Sequence, residues 1–163
     1  MSNKLKRSLP AWAGILAFYL GMQFFVDRHL PTGHPPAIAG NSLDGKVLDL
    51  SQLRGQPAVI YFWASWCGIC NAMRSGMRAV AADHPFISVA VQSGKADEVR
   101  QFQQEHGFLP PTLLDEDGAL SKQYGLRGVP AVFVLDPEGK IRYSSVGYTS
   151  EWGLRARLWL AGR

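Results

Sequence analysis

Seven residues from Ala58 to Ala64 run Ala-Val-Ile-Tyr-Phe-Trp-Ala without a charged side chain. A strand sends alternate side chains to opposite faces, so a strand of this composition can leave neither face in water. It must lie inside a sheet that other elements cover on both sides. With 163 residues the chain has room for one such domain. Its apolar fraction of 47% excludes a chain disordered throughout.

The rest of the pattern supplies the covering layers. Val47 to Leu50 reads as a short strand after the Asp44-Gly45 turn, and Ser51 to Arg54 as a helical turn ended by Gly55. Cys67 to His84 reads as a helix closed by Pro85. Ile87 to Val91 is a second buried strand. Lys95 to His106 is an amphipathic helix, with Val99 and Phe102 inward and Glu98, Arg100 and Gln103 outward. A strand at Thr112 to Leu114, a short helix at Ala119 to Tyr124 and a third apolar strand at Ala131 to Leu135 follow. The Asp136-Pro137-Glu138-Gly139 turn reverses the chain into Ile141 to Val146. Ser150 caps a last helix reaching about Leu160, whose Leu154, Leu158 and Trp159 share a face. Strands alternating with helices and ending on a hairpin predict an α/β sandwich with a mixed sheet.

The net charge of +4 does not point to nucleic acid. Lys4, Lys6 and Arg7 carry three of the positive charges, and without them 14 basic residues face 13 acidic ones. The excess belongs to a short N-terminal tail rather than to a binding face. After that tail, Ser8 to Val26 are 19 consecutive uncharged residues. As a helix they would extend about 28 Å, close to the thickness of a bilayer core. We therefore expect a cytoplasmic tail over 1–8, a transmembrane anchor over 9–26 and a proline-containing linker over 27–40. A folded domain over 41–163 would then lie outside the cytoplasm. The alternative is a cleaved signal peptide, for which Ala37-Ile38-Ala39 has the small-x-small form. Both alternatives export the domain.

Two cysteines allow one intramolecular disulfide and exclude a four-cysteine zinc site within one chain. His29, His34, His84 and His106 are scattered without metal-site spacing. Cys67-Gly68-Ile69-Cys70 falls at the junction between the buried strand and a helix. Both sulfurs then sit in the first helical turn, near enough to bridge. Unpaired N–H groups and the helix dipole favour a thiolate at Cys67. Cys67 would attack a substrate disulfide, and Cys70 would resolve the mixed disulfide. Two other uses stay open. An inert bridge would close too small a loop to stabilise much. A Cu(I) site would need further soft ligands, for which Met73 and Met77 are the candidates on the same helix.

Phe62-Trp63-Ala64-Ser65-Trp66-Cys67-Gly68-Ile69-Cys70 resembles the active-site stretch of the thioredoxin superfamily, and Gly128-Val129-Pro130 resembles its cis-proline loop. Anchor, linker and domain together resemble the membrane-tethered, TlpA-like branch. Gln92-Ser93-Gly94 and the stretch from Gly147 to Arg155 resemble the suppressor-of-copper-sensitivity D proteins. The resemblance implies a thioredoxin-like three-layer sandwich behind one N-terminal transmembrane helix. It implies Cys67 as nucleophile, Cys70 as resolving cysteine and Pro130 as the cis-proline. Trp66, Gly68, Ile69 and Val129 would contact the substrate, and Trp63 would help frame the site. It implies no cofactor and no metal. The implied partners are protein disulfides or dithiols, and a membrane electron-donor protein at the inner membrane facing the periplasm. Copper-stress tolerance or cytochrome c maturation would be the setting. The sequence departs from the superfamily at Tyr61, where cytoplasmic thioredoxins carry a buried Asp, and at Gly-Ile between the cysteines, where thioredoxin has Gly-Pro. No His lies between the cysteines, as strong oxidants often have. These departures favour a reductant or isomerising role over that of a primary oxidant.

A C-terminal alkaline phosphatase fusion should be active in cells. Cytoplasmic fluorescence from a C-terminal fluorescent protein, with an inactive phosphatase fusion, would contradict the expected orientation.

Overall fold

The computed structural model describes residues 30–163. The expected tail and anchor lie outside these residues. Among the described residues no helix is long and apolar enough to cross a membrane.

The elements run β1 (Ala39–Asn41), β2 (Val47–Asp49), a 3-10 turn (Leu50–Leu53), β3 (Ala58–Trp63), α1 (Gly68–Asp83), β4 (Phe86–Val91) and α2 (Ala96–His106). They continue with β5 (Thr112–Asp115), α3 (Ala119–Gln123), β6 (Ala131–Leu135), β7 (Ile141–Val146) and α4 (Glu151–Ala161). A five-stranded sheet has the order β5-β4-β3-β6-β7. β3 is parallel to β4, and β4 to β5, while β6 is antiparallel to both β3 and β7. β1 and β2 form a separate antiparallel hairpin. This is the thioredoxin-like α/β architecture with a mixed sheet.

β3 is central, and all six of its side chains are buried. Its period of two divides the core. Val59, Tyr61 and Trp63 face Met73, Met77 and Val80 of α1, Val99 of α2 and Leu154 and Leu158 of α4. Ala58, Ile60 and Phe62 face Leu48, Leu53 and Tyr124, beside Phe133 of the neighbouring β6. On α1 the buried residues are Cys70, Met73, Met77 and Val80, spaced for one helical face. Cys70 is thus the first member of a core stripe. Asp49 starts the 3-10 turn as its N-cap, accepting from Ser51 N at 2.6 Å.

Three local expectations change. Gln103, expected outward, is 4% exposed. Its Nε2 donates to Thr112 Oγ1 at 2.8 Å, and Thr112 Oγ1 lies 2.6 Å from Ser88 Oγ, which accepts from Trp63 Nε1 at 3.2 Å. A buried amide is tolerated because this chain of partners satisfies it. Trp159, expected on the inner face of the last helix, is exposed, with the Arg163 guanidinium 3.4 Å from its ring centroid. Residues 30–40, expected as linker, pack on the sheet. Leu30 and Ile38 are buried, Gly33 bridges Ile141, and the Tyr124 hydroxyl donates to Pro36 O at 2.9 Å. β1 itself went unread because its sequence, Ala-Gly-Asn, carries no strand signal.

The buried chain from Gln103 to Trp63 makes Thr112 a sensitive position. Thr112→Val keeps the shape but removes the hydroxyl, leaving the Gln103 amide unpaired. Denaturant melts should show a loss of about 1–3 kcal/mol.

Candidate functional site

The site forms where β3 ends. Ala64 to Trp66 carry the chain from the sheet to α1, and this connection is tied down on both sides. Ser65 N donates to Ser93 Oγ at 3.0 Å, and that hydroxyl donates to Val91 O at 3.0 Å. Trp66 Nε1 donates to Gln92 O at 3.0 Å. Gln92 has φ of +44°, a conformation few side chains adopt, and its N–H donates to Asp115 O at 2.9 Å. Gly94 follows at φ +94°, a backbone conformation that favours glycine.

Cys67 is the N-cap of α1, in extended conformation, and its Sγ accepts from Cys70 N at 3.1 Å. Cys67 and Cys70 are joined as a disulfide with a Cα–Cα separation of 5.2 Å. Both cysteines are buried, whereas Trp66 is 65% and Ile69 49% exposed. Gly68 is exposed as well. The disulfide therefore lies in a shallow seat rimmed by apolar groups.

The second wall is the β6 approach. Val129-Pro130 is a cis peptide, as the resemblance implies. Cys67 Sγ lies 3.7 Å from Val129 O. Pro130 O accepts from Gly147 N at 2.9 Å, which ties the loop to the end of β7. Cys67, Cys70, Val129 and Pro130 thus converge from two distant stretches of chain, with Trp66, Gly68 and Ile69 on the exposed rim. Trp63 lies under the site in the core. Beside the seat runs a groove of about 340 Å³ bordered by Trp66, Gln92, Asp117, Lys122, Arg127 and Val129.

Sequence reasoning missed the roles of Gln92, Ser93 and Thr149. The first two hold the Trp66 loop. Thr149 N donates to Met73 Sδ at 3.5 Å, and its hydroxyl lies 3.1 Å from Ser145 Oγ. Their signal was present as the Gln92-Ser93-Gly94 and Gly147-to-Arg155 stretches, read only as a resemblance. Met73, weighed as a third sulfur ligand for Cu(I), is buried in the core. Among the described residues no three His, Cys, Asp or Glu side chains cluster as a metal site.

The comparisons agree with this geometry. The model of the AhpC/TSA family matches residues 32–144. The thiol-disulfide oxidoreductase ResA of Bacillus thuringiensis is 26% identical over 141 residues, 83% of this chain and 82% of that protein. The soluble secreted antigen MPT53 of Mycobacterium bovis is 30% identical over 147 residues, 85% of each chain. A crystal structure of a thiol:disulfide interchange protein DsbE from Chlorobium tepidum superposes with a TM-score of 0.72. It is 26% identical, covering 81% of this chain and 98% of that one.

A sulfur that caps a helix and accepts a backbone N–H is stabilised as an anion. Alkylation of the reduced chain against pH should give Cys67 a midpoint below the value of about 8.5 for a free thiol. Faster reaction at Cys70, or an ordinary midpoint at Cys67, would reverse the assignment of roles.

Proposed function

The chain belongs to the AhpC/TSA family, and from that premise we propose that it exchanges disulfides with exported protein substrates through Cys67 and Cys70. The chain is a thiol:disulfide oxidoreductase of the thioredoxin fold. The observation that carries the mechanism is the convergence of the helix-capping Cys67 with the Val129-Pro130 loop across 3.7 Å.

In the reductive direction the Cys67 thiolate attacks a substrate disulfide. One substrate sulfur leaves with the electron pair and takes a proton from solvent. The other remains on Cys67 as a mixed disulfide. Cys70 loses its proton and attacks Cys67 Sγ, the substrate sulfur departs, and the Cys67–Cys70 bond closes. The oxidative direction reverses each step. Trp66, Gly68 and Ile69 offer an apolar rim to the polypeptide around the reacting sulfur. An extended substrate segment would pair with the Val129 backbone, a reading supported by the 3.7 Å between Cys67 Sγ and Val129 O.

Export is supported by the relative named as secreted, and a disulfide pair of this kind suits an oxidising compartment. We place the domain on the periplasmic side of an inner-membrane anchor over 9–26, with a membrane protein supplying electrons. The packing of residues 30–40 supports retention of the N-terminal segment. Cleavage after Ala39 would remove the core residue Ile38 and the Pro36 acceptor of Tyr124. The Gly33 bridge to Ile141 also places that end of the chain level with the start of β3. Six strand residues, about 17 Å, then separate it from the disulfide end. An anchored domain would hold its cysteines away from the bilayer.

Cys67→Ser should abolish insulin reduction. Cys70→Ser should retain attack but accumulate mixed disulfides, resolved by mass spectrometry. The client proteins captured distinguish a copper-stress setting from cytochrome c maturation. Tight Cu(I) binding without insulin reduction by the parent protein would favour the metal-binding alternative.

A further inference from the structure

Tyr61 is buried in the middle of β3, among aromatic rings. Phe86 and Phe108 each lie 6.2 Å from it, centroid to centroid, in edge contacts. Its hydroxyl is the one buried side-chain oxygen or nitrogen among the described residues that has no hydrogen-bond partner. Tyr61, Cys70, Asn71, Arg74, Trp63, Phe102 and Phe108 line a small cavity beneath the disulfide. The space open to a water-sized centre is about 10 Å³. That is close to the room one water molecule needs.

We propose that Tyr61 is a positioning residue for the resolving step: when the disulfide is open, its hydroxyl donates to the Cys70 sulfur through a water in this cavity and favours the thiolate. The inference rests on the assignment of Cys70 as resolving cysteine. It adds the group that prepares Cys70, which as the first member of a core stripe is shielded from solvent and would otherwise resist ionisation.

The surroundings fit a donor. Burial pushes the Tyr61 hydroxyl's ionisation well above its ordinary range, so the phenol keeps its proton. From α1, Arg74 is the charged group lining the cavity, and its Nη2 donates to Asn71 Oδ1 at 2.9 Å. Its positive charge also favours a thiolate. From α2, Phe102 closes the cavity, with His106 stacked on its outer side at 4.2 Å. The neighbours from β4 and the α2–β5 connection are Phe86 and Phe108, which do not titrate. During resolution Tyr61 remains protonated. Cys70 gives its proton to solvent, its sulfur bonds to Cys67 Sγ, and the Cys67–substrate bond breaks. The substrate sulfur leaves with the electron pair and is protonated by solvent. Over attack and resolution together, the cysteine pair is oxidised by two electrons and the substrate disulfide reduced by two.

The test uses full-length protein carrying thionitrobenzoate on Cys67, with release followed by absorbance across pH. Tyr61→Phe keeps the ring and removes the donor. We expect the Cys70 midpoint to rise by about one pH unit while that of Cys67 stays unchanged. A one-unit rise lowers the thiolate fraction tenfold at pH below the midpoint. A more basic sulfur is about threefold more nucleophilic, so release should slow by about three- to fourfold there and lose that deficit above the midpoint. A folded Tyr61→Phe with an unchanged Cys70 profile overturns the proposal, as does an equal shift at both cysteines. If Tyr61→Phe does not fold, protein in which 3-fluorotyrosine replaces tyrosine supplies a stronger donor. The Cys70 midpoint should then fall, and an unmoved midpoint overturns the proposal. Release from Cys70→Ser as fast as from the parent would refute the two-cysteine mechanism itself. Release that needs Cys70 but is indifferent to Tyr61 refutes only the present inference.

Discussion

Burial of β3 on both faces is the constraint from which the rest of this structure follows. A strand with no charged side chain, apolar or aromatic throughout, is stable only between two apolar layers, so three helices cover one side and the N-terminal hairpin, the 3-10 turn and α3 cover the other. The same requirement sets where chemistry can occur. A fully buried strand has to surface at its end, and this one does so at Ser65 and Trp66, immediately before a helix begins. Cys67 is the N-cap of that helix, four residues beyond the last strand residue, Trp63. It is fixed by the sheet through the chain behind it and by the helix dipole ahead of it.

The rim of the site shows how rigid elements impose geometry on loops. Three stretches meet at the disulfide, each tied to an element that is tied in turn to the sheet. Ser93 and Gln92 O restrain the Trp66 loop, Gly147 N restrains Pro130, and Thr149 N caps Met73 Sδ on the underside of α1. Gln92 adopts a backbone conformation that costs free energy in isolation, of order 1–3 kcal/mol. Its carbonyl meets the Trp66 indole from that conformation, and its N–H meets Asp115 O. Asp115 in turn caps α3, accepting from Leu120 N at 2.8 Å and Ser121 N at 2.9 Å. One unusual residue thus links the active-site loop to the far helix bordering the groove.

What the sequence made legible was periodic or chemical. β3, β6 and β7 were readable because apolar runs and a turn bounded them, Cys67 and Cys70 because their pair stands at a strand-to-helix junction, and Val129 and Pro130 through the resemblance of their loop to a known one. Gln103 was not readable. A glutamine on a helix flank is ordinarily solvated, and only the tertiary placement of Thr112 and Ser88 turns it inward. Residues 30–40 were read by composition, since prolines and glycines mark a linker. They nonetheless pack, because Leu30 and Ile38 find apolar partners far away in sequence. Trp159 followed helical spacing but missed the inner face by about one position. The rings of such large side chains can lie flat on a surface, here under the Arg163 guanidinium.

The two fully buried tyrosines of the sheet core mark the difference between a group that stabilises the fold and one that serves the site. Burial raises the ionisation of both hydroxyls, so both are neutral donors. Tyr124 uses its hydroxyl conventionally, on the carbonyl of Pro36, and so fastens the N-terminal segment to the sheet. Tyr61 finds no such partner among protein groups while the cysteines are bonded to each other, so its hydroxyl depends on water in the shared cavity, whose immobilisation costs up to about 2 kcal/mol. Phenylalanine would occupy the same space among Phe86 and Phe108 without that cost. A fold selected for stability in the oxidised state alone would favour Phe. That cost is offset where the hydroxyl, through the water, reaches a partner in another state, and the sulfur that bond opening frees beside the shared cavity is Cys70. The redox cycle therefore makes sense of a side chain that the static core does not.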